Sequence, residues 1–92
     1  MIVQLSTRAK AEFNSALAFL LEESERAAED LRQRIEAAVD SLKDLPNRGR
    51  PGHMAGTREL LVRKTPYVVV YLVEDQIVRV IRIRHTRQDP AP

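Results

Sequence analysis

The chain has 92 residues, of which 43% are hydrophobic and 4% aromatic, and its 15 Lys and Arg residues against 13 Asp and Glu residues give a formal net charge of +2. This length fits a single domain, residues 1–92, and the absence of cysteine excludes disulfides, thiolate metal ligands and cysteine nucleophiles. No window approaches the roughly 18 apolar residues of a membrane span, and no secretory signal pattern is present. We therefore expect a cytoplasmic protein that does not enter a membrane.

The charge is distributed unevenly along the chain. Residues 1–45 contain six Lys and Arg residues and nine Asp and Glu residues, whereas residues 46–92 contain nine and four. The basic second half is expected to face an acidic partner, either nucleic acid or an acidic protein surface. A solvated basic face without any partner is the alternative.

The first half of the chain predicts one strand and two helices. Residues 2–5 form a short apolar strand, and Ser6 or Thr7 then offers a hydroxyl that can cap a helix. Apolar residues at three- and four-residue spacing predict helices over residues 7–23 and 25–44. The few residues between them favour an antiparallel helical hairpin.

The second half predicts a loop followed by strands. Residues 46–52 are rich in Pro and Gly and end the second helix. Strands are predicted over residues 58–63, 67–73 and 77–85, and the middle one is apolar and rich in β-branched residues, as is typical of a central strand. Residues 89–92 are expected to be mobile.

In the last predicted strand the two faces differ. Side chains alternate in a strand, so Ile77, Ile81 and Ile83 share one face while Arg82 and Arg84 share the other. We expect the isoleucine face to meet the helices. The arginine face is then expected to line an open concavity, together with the loop that follows the second helix.

Four segments, in this order along the chain, resemble the RelE/ParE toxin superfamily. They are the helix pattern Ala9…Phe13…Leu17, the loop Leu45-Pro46-x-x-Gly49-Arg50-Pro51-Gly52, the pair Gly56-Thr57-Arg58-Glu59-Leu60 and Thr65-Pro66-Tyr67-Val68-Val69-x-Tyr71, and the end Val80-Ile81-Arg82-Ile83-x-His85-x-Arg87-Gln88. Together these segments span almost the whole chain.

The resemblance implies a fold and a biological role. The fold would be α+β, in the order βααβββ, with an antiparallel sheet and a helical hairpin packed on one of its faces. The role would be the toxin of a bacterial type II toxin–antitoxin system, neutralised by a cognate ParD-like antitoxin whose disordered tail folds on binding.

Two toxic activities are found in the superfamily that the chain resembles. RelE-like members cut mRNA in the ribosome, and ParE-like members act on DNA gyrase. RNA cleavage needs a base, an acid and cations around the scissile phosphate. Relative to the RelE pattern, this chain has Val68 in place of an Arg, Glu59 and Leu61 in place of two Lys, and no Tyr beyond Tyr71. These differences favour the ParE branch and gyrase inhibition. The alternatives are a ribosome-dependent mRNA endonuclease and a module that binds an antitoxin without being toxic.

Candidate site residues come from the basic half of the chain. If the protein is a nuclease, the candidates for catalysis are His85, Arg82, Arg63 and Arg87. The candidates for partner binding are Arg48, Arg50, His53, Arg58, Arg82, Arg84, His85 and Arg87. For each arginine a structural role or a solvated position is the alternative. His53 and His85 lack a third ligand at suitable spacing, so we expect no metal site, and we expect no cofactor.

Overall fold

The computed structural model describes residues 1–88, so the expectation that residues 89–92 are mobile lies outside the described residues. The elements are β1 (Ile2–Leu5), α1 (Thr7–Leu21), α2 (Glu25–Ser41), β2 (Arg50–Pro51), β3 (Thr57–Leu61), β4 (Tyr67–Glu74) and β5 (Ile77–His85). The predicted strands and helical hairpin are therefore present, with β2 as an additional short strand.

Each helix begins at a serine that caps it. The Oγ of Ser6 accepts a hydrogen bond from the backbone N–H of Ala9, and the Oγ of Ser24 accepts one from Ala27. Each bond satisfies one of the backbone donors left free in the first turn of a helix. Within residues 1–88, neither helix combines the length and apolar character needed to cross a membrane.

The sheet contains five strands in the order β1-β5-β4-β3-β2. Three of its pairings are antiparallel, but β1 runs parallel to β5. The α+β fold with two helices on the sheet is confirmed, whereas the sheet is mixed rather than wholly antiparallel. The reason is that β1 and β5 are separated by almost the whole chain, and a connection of that length can return in either direction.

The core lies between the helices and one face of the sheet. α1 and α2 contribute Ala9, Ala16, Leu31 and Ile35, and Leu42 follows the end of α2. The sheet and its adjoining turn contribute Val62, Val69, Tyr71, Val78, Val80 and Ile83. Leu, Val and Ile thus fill the core of a chain that has few aromatic residues.

A β-bulge in β5 changes which of its side chains meet the helices. Val80 pairs with Tyr71 and Arg82 with the adjacent Val70, so Ile81 is an extra residue in β5. Val78 and Val80 belong to the core before the bulge, and Ile83 belongs to it after the bulge. The prediction that Ile77, Ile81 and Ile83 form one helix-facing row is therefore wrong, because strict alternation stops at the inserted residue.

Candidate functional site

The sheet face opposite the helices carries charged side chains that are largely buried. Arg82 and Arg84 of β5 lie on this face with Glu59 of β3, and they are 8%, 5% and 5% exposed. The bulge at Ile81 is what turns Arg82 and Arg84 away from the helices. Charged groups at this depth require partners, because an unpaired buried charge is strongly destabilising.

Glu59 is the centre of one group of partners. Its Oε1 accepts a hydrogen bond from Nη2 of Arg84 at 3.2 Å and lies 3.6 Å from Nη2 of Arg50. Its Oε2 accepts the backbone N–H of His53 at 3.2 Å and lies 2.8 Å from Nδ1 of the same residue. Burial acts to raise the pKa of Glu59, but the hydrogen bonds from His53 and the charge of Arg84 outweigh it and hold this pKa below its usual value. Glu59 is therefore an ionised carboxylate that joins β3, β5 and the loop after β2.

Glu12 of α1 is the partner of Arg82. Its Oε2 accepts hydrogen bonds from Nη2 and Nε of Arg82 at 2.7 and 3.3 Å, and its Oε1 accepts the backbone N–H of Ile83 at 3.1 Å. The pairing of β5 with β1 ends at Val80. Beyond that point the carboxylate of Glu12, and not a carbonyl of β1, accepts the backbone N–H of Ile83 at the edge of β5. One carboxylate therefore binds a buried guanidinium and fastens α1 to the sheet.

A concavity does open beside these ion pairs. It has a volume of about 270 Å³ and is lined by Ser6, Arg8, His53, Met54, Thr57, Glu59, Val70, Ile81 and Arg82. The expected hollow is therefore present, with Arg82 in its wall and His53 at the loop. Arg84 does not line it, because its side chain lies behind the surface and is paired with Glu59. The expectation that both arginines line this hollow is therefore wrong for Arg84, and Arg82 and Arg84 are each bound to a carboxylate.

Two of the predicted partner-binding arginines hold the loop that connects α2 to β2. Nη1 of Arg58 donates to the carbonyl oxygens of Gly49 and Asn47 at 2.7 and 3.4 Å, and Nη1 of Arg48 donates to Oγ of Ser41 at 2.7 Å. The contacts of Arg58 favour the structural alternative for that residue. Arg48 remains exposed beyond its single contact.

Tyr71 fixes the same loop from the helix-covered side of the sheet. Its hydroxyl accepts the backbone N–H of Gly49 at 2.8 Å and donates to the carbonyl of Pro46 at 2.7 Å. A Cβ at position 49 would lie 2.8 Å from this hydroxyl, so only glycine fits there. Tyr71 is therefore a buried core residue whose hydroxyl both accepts and donates a hydrogen bond.

The four candidate catalytic residues do not converge. The side chain of His85 lies on the helix-covered face, where its ring meets that of Tyr67 edge to face at 5.2 Å, whereas Arg82 lies on the opposite face. Nδ1 of His85 accepts the backbone N–H of the exposed Arg87 at 3.1 Å. Arg63 lies in a separate depression with residues of α2. The described residues therefore bring no acid and base together around a common cation.

Glu12 and Met54 were not singled out in the sequence. Glu12 stands three residues after Ala9 and four before Ala16, both of which are buried on one face of α1. A carboxylate at that spacing lies at the margin of the buried face, and this position predicts a cationic partner on the opposing strand. No sequence signal marks Met54, which reaches the hollow through the conformation of its loop. Among residues 1–88, no three His, Asp or Glu side chains are grouped so that they could hold a metal ion.

Known proteins similar to this chain include two that are named as toxins and a chain of a ParDE system. Residues 3–90 match the model of the family described as ParE toxin of the type II toxin–antitoxin system parDE. Toxin RelE1 of Caulobacter vibrioides is 40% identical over 85 residues, covering 90% of both chains, and Toxin RelE2 of the same organism is 40% identical over 78 residues, covering 85% of this chain and 86% of the other. A solved chain of the chromosomal ParDE system from P. aeruginosa superposes with a TM-score of 0.83 at 22% identity, covering 92% of this chain and 95% of the other, and so has the same fold. This chain belongs to the ParE toxin family of type II toxin–antitoxin systems.

Proposed function

We propose that this chain arrests growth by binding DNA gyrase in the cytoplasm without cleaving RNA, and that a cognate ParD-like antitoxin neutralises it. The observation that carries the proposal is the neutralisation of its buried arginines. Nη2 of Arg82 lies 2.7 Å from Glu12, and Nη2 of Arg84 lies 3.2 Å from Glu59. A cation already bound to a carboxylate is poorly placed to stabilise the extra charge of a phosphorane.

The scattered positions of the other candidate groups support the same proposal. A general acid and a general base must both reach one phosphate, within hydrogen-bond distance or through one water. His85 and Arg82 lie on opposite faces of the sheet, and Arg63 lies beside α2. Gyrase as the target comes from the resemblance of the sequence to the ParE branch.

Ribosome-dependent mRNA cleavage is the second candidate function. It is favoured by the names of two relatives, Toxin RelE1 and Toxin RelE2, which are each 40% identical to this chain. If this function were correct, His85 and Arg87 would be its best candidates, because they are in contact near the end of β5. Loss of RNA cleavage in His85→Ala would identify this residue.

The two functions make opposite predictions for purified toxin. The full chain, made by cell-free synthesis without antitoxin, is expected to inhibit supercoiling by gyrase and to leave translated mRNA intact in primer extension. Adding the antitoxin should restore supercoiling. Cleavage of translated mRNA with unchanged supercoiling would replace the first proposal with the second. A folded chain that binds its antitoxin but neither inhibits gyrase nor cuts mRNA would be a non-toxic binding module.

Among the predicted partner-binding residues, Arg50 and His53 are the best placed to contact a macromolecule. Their side chains are 74% and 58% exposed, and they stand beside the hollow on the open face. Arg48 and Arg87 are exposed but lie elsewhere, and His85 is partly covered. We propose Arg50 and His53 as the polar rim that donates hydrogen bonds to the acidic tail of the antitoxin.

This rim can be tested by a pair of variants and a matched control. Arg50→Ala and His53→Ala are each expected to weaken antitoxin binding about 3- to 30-fold, and the effect of Arg50→Ala should be larger at low salt. Lys10→Ala removes an exposed cation of α1 and should leave the affinity unchanged. Equal affinities for all three variants at low ionic strength would remove the rim from the proposal.

A further inference from the structure

The two edge strands of the sheet differ in how they are protected. β2 forms one edge, has only two residues, and consists of a charged residue and a proline, Arg50 and Pro51. Both features hinder the addition of another strand. β1 forms the other edge with the sequence Ile-Val-Gln-Leu, which contains no charge and no proline. Ile2 is 61% exposed there.

The hydrogen bonds of β1 show which backbone groups face outward. The N–H groups of Ile2 and Ser6 donate to the carbonyls of Gln76 and Val80 at 3.0 and 2.8 Å. In a parallel pairing, every second residue of a strand directs both its N–H and its C=O toward the same neighbouring strand. The backbone N–H and C=O of Gln4 therefore also face β5. The N–H and C=O groups of Val3 and Leu5 therefore point to the outer edge, where they can pair with one more strand.

The side chains beside this edge form an incomplete apolar surface. Val3 and Leu5 are only partly buried, and with Phe13 and Val39 they line a groove of about 330 Å³ on the helix-covered side. Glu36, Asp40 and Lys43 stand at the rim of the groove, so charges of both signs are present. We call the outer edge of β1 and this groove together the β1 edge.

We infer that the β1 edge binds a second copy of this chain, with β1 antiparallel to β1 of the other copy across a two-fold axis. The outward-facing residues, Val3 and Leu5, lie symmetrically about Gln4. Val3 would therefore exchange hydrogen bonds with Leu5 of the second copy, and Gln4 would stand opposite Gln4 of the second copy on the axis. The two sheets join into one, both helical hairpins lie on the same face, and the two grooves become neighbours.

The chemistry of the β1 edge favours a second copy over a charged peptide. A strand without charges pairs with its own copy without repulsion, and its apolar alternation is self-complementary in this register. The rim of the groove has two acidic residues and one basic residue, so it offers little to an acidic peptide. A two-fold axis satisfies both edges at once and leaves no unpaired edge at the junction.

Introduced cysteines test both the pairing and its register, because the natural chain has no cysteine. In the proposed dimer the two Gln4 residues form a pair with Cα atoms about 4.5 Å apart, which a disulfide can bridge. Gln4→Cys is therefore expected to form a disulfide-linked dimer under mild oxidation. Ile2→Cys is the matched control, because the same register separates its two copies by about 13 Å. It should remain largely uncrosslinked under the same conditions.

Solution mass provides the second measurement. The wild-type chain is expected to shift from 10.5 kDa toward twice that mass as its concentration rises. Val3→Pro removes one outward N–H and leaves the ladder to β5 intact, so it should stay at the mass of one chain, with a circular dichroism spectrum like that of the wild type. The inference is overturned if the wild type remains a single chain up to millimolar concentration or if Ile2→Cys crosslinks as fast as Gln4→Cys. It is also overturned if amides of β1 are protected from exchange only after antitoxin is added, since that result would assign the edge to the antitoxin.

Discussion

The two faces of the sheet are stabilised in different ways, although the same strands contribute to both. The helix-covered face is packed with apolar side chains, and Ile35, Val69 and Val80 on it are fully buried. The open face carries buried arginines that are paired with Glu12 and Glu59. The first face is stabilised mainly by removing apolar surface from water, and the second depends on matched charges.

This difference separates the stability of the fold from the properties of the site. Replacing a side chain on the helix-covered face removes packing and should act equally at all pH values and salt concentrations. Replacing one member of an ion pair on the open face leaves a buried charge without its partner, so the effect should depend on the other member. The variants below test this contrast in order of decreasing effect.

Truncating the core is expected to have the largest effect. Ile35 of α2 is fully buried, so Ile35→Ala should lower the free energy of unfolding by about 4 kcal/mol, the upper part of the range for such cavities. Ile35→Val, which removes a single methyl group, should lower it by about 1 kcal/mol. Urea unfolding at low and high salt measures both. A marked salt dependence of either change would show that this face is not purely apolar.

Breaking one ion pair on the open face is expected to be the next largest effect. Glu59→Leu leaves Arg84 without its carboxylate and should lower the free energy of unfolding by roughly 3 kcal/mol, near the lower end of the range for buried pairs, because His53 and Arg50 are exposed to water. The double variant Glu59→Leu/Arg84→Met should recover most of this loss. Urea unfolding measures these losses. If the loss in the double variant equals the sum of the losses caused by Glu59→Leu and Arg84→Met alone, the two residues are not energetically coupled.

Removing one hydroxyl tests the polar anchor within the helix-covered face. Tyr71→Phe eliminates hydrogen bonds to Gly49 and Pro46 and leaves their backbone groups without this partner, so it should lower the free energy of unfolding by about 1–2 kcal/mol. Amide exchange should accelerate at Gly49 and remain unchanged in the middle of α2. Tyr67→Phe is the control, because Tyr67 is only partly buried. A smaller loss for Tyr71→Phe than for Tyr67→Phe would contradict the anchor.

Local sequence patterns were sufficient to predict most of the fold. The serine cap of α1, the spacing of apolar residues in both helices and the Pro and Gly loop after α2 act over a few residues, and the structure confirms them. The direction of β1 and the bulge at Ile81 depend instead on pairing between distant segments. Neither is encoded in the alternation of a single strand, so the helix-facing row of β5 could not be predicted.

The same limitation applies to the site. The sequence correctly places Arg82 and Arg84 on one face, but their exposure depends on carboxylates that are 70 and 25 residues away, Glu12 and Glu59. The sequence marks Glu59 only as a residue that stands where the RelE pattern has a Lys. Its actual role, accepting from His53 and Arg84, follows from the register of β3, β4 and β5.

The pH dependence of stability is expected to be the smallest of these effects. The pKa of Glu59 is held below its usual value of 4.5, mainly because hydrogen bonds from His53 and the charge of Arg84 outweigh the effect of burial. A carboxyl group whose pKa is lowered on folding contributes stability above its ordinary pKa and loses that contribution as the pH falls through the lowered value. The wild type should therefore lose stability at pH values below 4.5.

Glu59→Gln removes this titration and reveals how much of the acid sensitivity belongs to the open face. The variant should be less stable than the wild type at pH 7, and the difference between them should narrow as the pH falls through the lowered pKa of Glu59, because this carboxyl group then becomes protonated in the wild type as well. Ile35→Val is the reference, since its loss should stay constant over the same interval. Thermal unfolding in a pH series measures both differences. If the stability difference between Glu59→Gln and the wild type were as independent of pH as the difference for Ile35→Val, the carboxylate would contribute through packing and not through its charge. The contrast between the two faces of the sheet would then disappear.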